Sequence, residues 1–252
     1  EEETNDLNFA KNLASNFDFF VNDAFSASHR SHSSIVGLVK FLPSVAGISF
    51  INEVTKLENF LNESDKPNLA IIGGSKISTK INVIYNLIDL FDTIVIGGAM
   101  ANTFLLSNNF KIGKSLIEKD CIEVAKDIQK KAKLAGCKII LPIDVVCSND
   151  IKNKNDIRMC EIEDIFDHHM ILDVGKKTSL LISNNILKSR SVLWNGPLGA
   201  FEYKPFDSSS LEIANTINKF AKNLKINSTA GGGDTIAVIN KAKAQDGFNY
   251  LS

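Results

Sequence analysis

Three short stretches of the sequence have the composition of an anion site. Gly73-Gly74-Ser75-Lys76-Ile77-Ser78-Thr79-Lys80, Gly97-Gly98-Ala99 and Gly231-Gly232-Gly233-Asp234-Thr235 each follow a β-rich apolar run and precede a segment of helical period. In such a strand-to-helix turn, unpaired backbone N–H groups and the positive end of the helix dipole point at one place, and glycine lets a phosphate approach the chain. Lys76 and Lys80 are four apart, a spacing that puts both on one face of an opening helix turn. Asp234 offers an oxygen ligand to Mg²⁺ and Thr235 a hydroxyl to phosphate. The second turn has no charged residue nearby and suits the approach of a flat ring. Taken singly, each has a plain structural explanation: glycine is common in such turns, Asp234 can be an N-cap, and surface lysines are usually solvated. On neighbouring strands of one sheet the three turns would sit at the carboxyl edge, where open α/β sheets bind ligands, and a nucleotide site is the leading reading.

A fourth cluster, His29-Arg30-Ser31-His32-Ser33-Ser34, is cationic and rich in hydroxyls. Arg30 can grip a carboxylate or phosphate with two parallel hydrogen bonds, whereas a zinc reading of His29 and His32 lacks further ligands nearby. Two other segments imitate known phosphate loops and fail. Gly113-Lys114-Ser115 resembles the end of a P-loop, yet Asn108 stands where that motif needs glycine, and no strand leads into it. Gly175-Lys176-Lys177-Thr178 has Met170 at the earlier glycine position, and no GxGxxG fingerprint occurs. Cys121, Cys137, Cys147 and Cys160 show no paired spacing and read as reduced packing residues.

The elements that must position these residues follow from periodicity. Apolar runs at Leu69 to Ile72, Thr93 to Ile96, Lys138 to Leu141, Ser191 to Trp194 and Ser228 to Ala230 alternate with longer amphipathic segments. One helical stripe is Ile81, Ile84, Leu87 and Ile88; another is Ile117, Cys121, Val124, Ala125, Ile128 and Ala132. Ser208 to Ser210 can cap a third helix carrying Leu211, Ile213, Ala214, Ile217 and Phe220. This predicts an α/β fold, a doubly wound parallel sheet with helices on both faces, over residues 67–252. The polar run Asn149 to Asn155 reads as a surface excursion, and Phe248 to Ser252 as strand-like. Residues 1–48 hold one helix (Leu7 to Leu13) and one strand (Phe19 to Val21), too little to stand alone, and form an incomplete N-terminal α/β stub. Residues 49–66, with a helix from Asn52 to Leu61 and the polar run Asn62 to Pro67, link the two parts.

Bulk composition narrows the partners. With 28 basic and 29 acidic residues the net charge is -1, which gives no electrostatic reason to expect nucleic acid or an anionic membrane. No apolar run approaches the roughly 18 residues of a membrane span, and the acidic start Glu1-Glu2-Glu3 is unlike a signal peptide, so the reading is a cytoplasmic protein. The hydrophobic share of 44% can fill a sizeable core in a chain of 252 residues.

Six spaced motifs together resemble one family. Val21-Asn22-Asp23-Ala24-Phe25, His29 to Ser34, Gly73-Gly74-Ser75-Lys76, Trp194-Asn195-Gly196-Pro197, Phe201-Glu202 and Gly231 to Thr235 occur in the order found in phosphoglycerate kinases, over essentially the whole chain. The resemblance implies phosphoryl transfer between 1,3-bisphosphoglycerate and ADP, giving 3-phosphoglycerate and MgATP, by a monomeric two-domain hinge enzyme. It implies that Lys76, with the Gly232 and Gly233 backbone, stabilises the phosphoryl group in flight. Lys80, Asn195 and Thr235 would hold nucleotide phosphates, Asp234 would bind Mg²⁺ and Glu202 the ribose hydroxyls. Gly97, Gly98 and Gly175 would line the adenine pocket, with Gly73 and Pro197 also at the nucleotide, and His29 and Arg30 would grip the phosphoglycerate. Such chemistry needs positioning and charge neutralisation more than a covalent nucleophile.

The chain departs from the family's pattern at both ends. The family's early Asp, Asn, His and several arginines of the substrate clamp are not in this sequence, nor is the glycine-rich loop expected directly after Ser252. The expectation is a fragment with negligible kinase turnover alone. Alternatives are a non-catalytic nucleotide-binding or scaffold protein of the same fold, and a zinc-binding interaction domain using the four Cys and four His.

Overall fold

The computed structural model describes residues 1–62, 64–152 and 156–252. Two compact units are present, one running from Glu1 through the second helix and the other from Ser64 to Leu251.

In the first unit α1 (Leu7–Ala14) is capped by Asp6, whose carboxylate accepts the Phe9 N–H at 2.7 Å. Strands β1 (Phe20–Asn22) and β2 (Ser44–Ala46) pair in parallel, and α2 covers Ile48–Asn62. The helix expected from Asn52 therefore starts four residues earlier. Its first turn is held by Asp23, distant in sequence, whose carboxylate accepts the Phe50 N–H at 2.9 Å. That bond also lowers the Asp23 pKa. Phe17, Phe19, Val45 and Ile48 are exposed, in keeping with an apolar content too small to close a core.

In the second unit, strands β3 (Asn68–Ile72), β4 (Thr93–Ile96), β5 (Lys138–Ile140), β9 (Ser191–Asn195), β10 (Asn227–Gly231) and β11 (Tyr250–Leu251) form one six-stranded sheet. Its order is β11-β10-β9-β3-β4-β5 and every pairing is parallel. All five expected strands are present, shifted by at most one residue at an end. Helices α3 (Ile81–Leu90), α4 (Met100–Ser107) and α5 (Ile122–Ala135) pack among themselves, as do α6 (Lys176–Lys188), α7 (Ser208–Leu224) and α8 (Gly233–Ala242). Buried Leu69, Ile71, Val192, Trp194, Ile213, Ile217 and Val238 join sheet and helices in one core.

The topology fixes where a ligand can sit. From β3 the chain winds outward through β4 to β5, then returns to the other side of β3 and winds outward again through β9, β10 and β11. The winding reverses between β3 and β9. At such a reversal the helices that follow the two strands lie on opposite faces of the sheet, which leaves a crevice at the carboxyl edge.

Two expectations are corrected. Strands β6 (Asp144–Ser148), β7 (Arg158–Glu161) and β8 (Met170–Val174) form a separate antiparallel sheet, ordered β7-β6-β8, which periodicity did not reveal. Asn149 to Lys152 leave β6, while residues 153–155 of the predicted excursion lie outside the described residues. Ser208 to Ser210 are not an N-cap; Asp207 occupies that position without a capping bond. Ser209 and Ser210 are buried in the first turn instead, Ser209 Oγ donating to Asp173 and Ser210 Oγ accepting the Leu198 N–H at 2.9 Å. The serines were selected by tertiary partners, which a local capping pattern cannot show.

Candidate functional site

The turns after β3, β9 and β4 are joined edge to edge by their own backbones. Gly73 N donates to Asn195 O at 2.9 Å, Gly74 N to Pro197 O at 3.2 Å and Gly98 N to Leu198 O at 3.0 Å. This close approach is why two positions must be glycine. A Cβ on Gly73 would stand 2.0 Å from Pro197 O, and one on Gly98, which has φ +66°, would stand 2.4 Å from Gly74 O. Much of the space that Gly97 and Gly98 free for the expected approach of a flat ring thus holds neighbouring protein.

Lys80 binds this framework from below. Its Nζ donates to Gly73 O at 2.7 Å, to Asn195 Oδ1 at 2.6 Å and to Asn195 O at 3.2 Å. Burial lowers its pKa to about 8, partly offset by the Asp234 carboxylate. The helical placement expected for the two lysines is wrong. Residues 73–80 form a turn, Lys80 is only the N-cap of α3, and Lys76 is exposed at the turn's surface. Glu118 fixes that turn by accepting from Ser78 N at 3.1 Å and from Ser78 Oγ.

Two contiguous clefts result. A polar one of about 300 Å³ is lined by Lys76, Lys80, Asn195, Gly232, Gly233, Asp234 and Thr235. A largely apolar one of about 380 Å³ is walled by Leu116, Met170 to Val174, Leu198 and Ala200, with Glu202 on its boundary. Gly74, Ser75, Pro197 and Asp234 belong to both, so one opens into the other. At the polar end Asp234 is not a cap; it lies exposed in the first turn of α8, where Gly232 with φ +92° opens the helix. Thr235 is buried and its Oγ1 accepts the Gly196 N–H at 2.7 Å, while Asn195 Nδ2 donates to Gly231 O at 3.0 Å.

Three predicted nucleotide residues do not reach the lining: Gly73 is buried against Pro197 O and Gly196 O, and Gly97 and Gly175 are also set back. Gly97 is buried against Leu198, and Gly175 packs on Asp144, whose Oδ2 lies 2.2 Å from where a Cβ would be. His29 and Arg30 lie in the first unit, exposed in the turn after Phe25–Ala27, with the Arg30 N–H on Ala27 O at 3.0 Å. Neighbouring Ser33 is buried and serves that unit's packing, donating to Glu1 O at 3.0 Å.

Sequence reasoning missed the β8 wall of the apolar cleft, because the antiparallel sheet itself was missed. Within that wall Asp173 is buried, accepting from Ser209 N at 3.1 Å and from Val174 N at 2.9 Å. Burial raises its pKa to about 7. The four cysteines are free, and burial raises every thiol pKa, that of Cys137 to about 11.

A phosphoglycerate kinase family profile matches residues 1–252, the full length of the chain. The chain belongs to the phosphoglycerate kinase family. Phosphoglycerate kinases of Mesorhizobium japonicum and Xanthobacter flavus are 47% and 42% identical to it over 251 residues. The chain spans about 63% of the length of each. The phosphoglycerate kinase structure from Coxiella burnetii superimposes on the whole chain with a TM-score of 0.82 at 34% identity, over 65% of its own length. The Pyrococcus horikoshii phosphoglycerate kinase, at 24% identity and a TM-score of 0.73, shares the fold. Among the described residues no helix is long and apolar enough to cross a membrane.

Proposed function

We propose that this chain supplies the nucleotide-binding part of a phosphoglycerate kinase. The whole protein would move a phosphoryl group between the acyl phosphate of 1,3-bisphosphoglycerate and ADP, giving 3-phosphoglycerate and ATP in glycolysis. The observation that carries the reading is the passage from an apolar cleft to a lysine- and aspartate-lined cleft at the reversal of the sheet's winding. An adenine ring suits the first, with Glu202 within reach of ribose hydroxyls, and the phosphate tail suits the second.

Each polar group then has a task. The Gly232 and Gly233 amides open α8 toward the phosphates, where the helix dipole favours negative charge. Lys80, tied to Gly73 and Asn195, holds a fixed cation beside the nucleotide, whereas exposed Lys76 is the ammonium free to follow the group in transfer. Asp234 offers an exposed carboxylate oxygen to both clefts, a donor that suits Mg²⁺. Bound there with the nucleotide, the ion supplies charge neutralisation. The 3-phosphoglycerate carboxylate is already ionised at pH 7, so no general base is required. Exposed His29 and the guanidinium of exposed Arg30 are assigned to the phosphoglycerate.

Calorimetric titration of MgADP into the chain and its Lys80→Ala and Asp234→Ala variants tests the site. Binding weakens in both variants if the cleft holds the nucleotide; equal binding by all three places the nucleotide elsewhere.

A further inference from the structure

A group of ligand atoms stands apart from the polar cleft. Asp156, His168 and His169 bring one carboxylate oxygen and two imidazole nitrogens within 4.8 Å of one another. Asp156 precedes β7 and the histidines precede β8, so the antiparallel sheet gathers them. We propose that they form a zinc site.

The geometry suits such an ion. His169 Nε2 lies 3.0 Å from Asp156 Oδ2. Two atoms bonded to one tetrahedral Zn²⁺ at about 2.0–2.2 Å stand roughly 3.3–3.6 Å apart, so the ion can replace this hydrogen bond if the pair opens by about half an ångström. The His169 side chain is 2% exposed and its Nδ1 has no partner among the described residues. Packing thus holds the buried imidazole with Nε2 turned to the Asp156 carboxylate, the nitrogen and oxygen that would share the ion. His168 is exposed and leaves the fourth position to water.

The backbone around the histidines is held in place. Lys114 N donates to His169 O at 2.7 Å, His169 N to Phe166 O at 3.0 Å and Ile171 N to Ser115 Oγ at 2.8 Å. Gly113 permits this approach, since a Cβ there would lie 2.2 Å from His169 O. The Gly113-Lys114-Ser115 segment that imitates a P-loop is a clamp on this turn. Phe166 stacks on His168 with ring centroids 5.5 Å apart and planes 17° from parallel. Ligands held by their surroundings lose less freedom when an ion arrives.

Two imidazoles with one carboxylate favour Zn²⁺ over Mg²⁺ or Ca²⁺, which prefer oxygen throughout. The site would tie the start of β8 to the segment entering β7. Met170, next to His169, lines the apolar cleft, so a bound ion would also fix that wall.

The test is calorimetric titration of Zn²⁺ alone, without nucleotide, so its outcome is independent of the function proposed above. The chain, His168→Ala, Asp156→Asn and His29→Ala are compared, with circular dichroism to establish folding. One equivalent of Zn²⁺ binds the chain and His29→Ala alike, and at least tenfold more weakly to the other two. His168 is exposed, so its replacement leaves the fold intact and keeps the test decisive. Absence of stoichiometric binding by the chain, or binding unchanged in His168→Ala, overturns the proposal.

Discussion

Lys80 gives the proposed nucleotide site a pH signature. With its ammonium buried and its pKa lowered to about 8, about three-quarters of the Lys80 side chains in the free protein are neutral at pH 8.5. A nucleotide phosphate placed beside Nζ favours the charged form and returns the pKa toward 10.5. Binding MgADP at pH 8.5 therefore takes up about 0.7 proton, against about 0.1 at pH 7, and the apparent Kd rises about tenfold between pH 7 and 9. The same shift acts on stability. The folded-state value lies below the unfolded one, so the unfolded chain holds more protons between pH 8 and 10.5, and stability contributed through this group rises across that window. Titration of MgADP at pH 8.5 in two buffers of different ionisation enthalpy reads the proton count directly. Lys80→Gln abolishes the uptake and weakens binding about tenfold to a hundredfold, the worth of a charge-assisted hydrogen bond. No uptake by the unmodified chain, or the same uptake in Lys80→Gln, refutes the placement of Lys80 at the phosphates.

Other perturbations read different parts of the structure. Asp234→Asn should weaken MgADP binding about tenfold or more while leaving metal-free ADP nearly unaffected, since its charge acts on the ion; paired titrations with Mg²⁺ and with EDTA check this. Gly98→Ala should lower stability by at least about 2 kcal/mol, because its Cβ would meet the Gly74 backbone at 2.4 Å. Gly136→Ala, with φ +75° but nothing within 4 Å, should cost only about 1 kcal/mol; urea unfolding of the two variants separates steric from conformational cost. Trp194→Phe should cost about 2–4 kcal/mol by leaving Gly196 O without the indole N–H it accepts at 2.8 Å and by opening a small void; circular dichroism follows unfolding, as this tryptophan is the only one in the chain.

Much of the candidate site was legible in the sequence because its parts are local. Short apolar runs ending in glycine specify parallel strands that turn into helices, and the periods of α3, α5 and α7 name their buried faces. Lysine and aspartate beside those glycines point to a candidate anion and cation site in residue types alone, whereas Asn195 entered only through the family resemblance. Tertiary structure decided what depends on distant partners. The Asp23 carboxylate set the start of α2, Asp173 and Leu198 claimed the serines of α7, and the cross-strand pairing of β6, β7 and β8 built a cleft wall from segments without clear periodicity. It also brought Asp156 to His168 and His169. Local periodicity records which face of an element is buried, whereas the identity of what buries it is set only when the chain closes on itself.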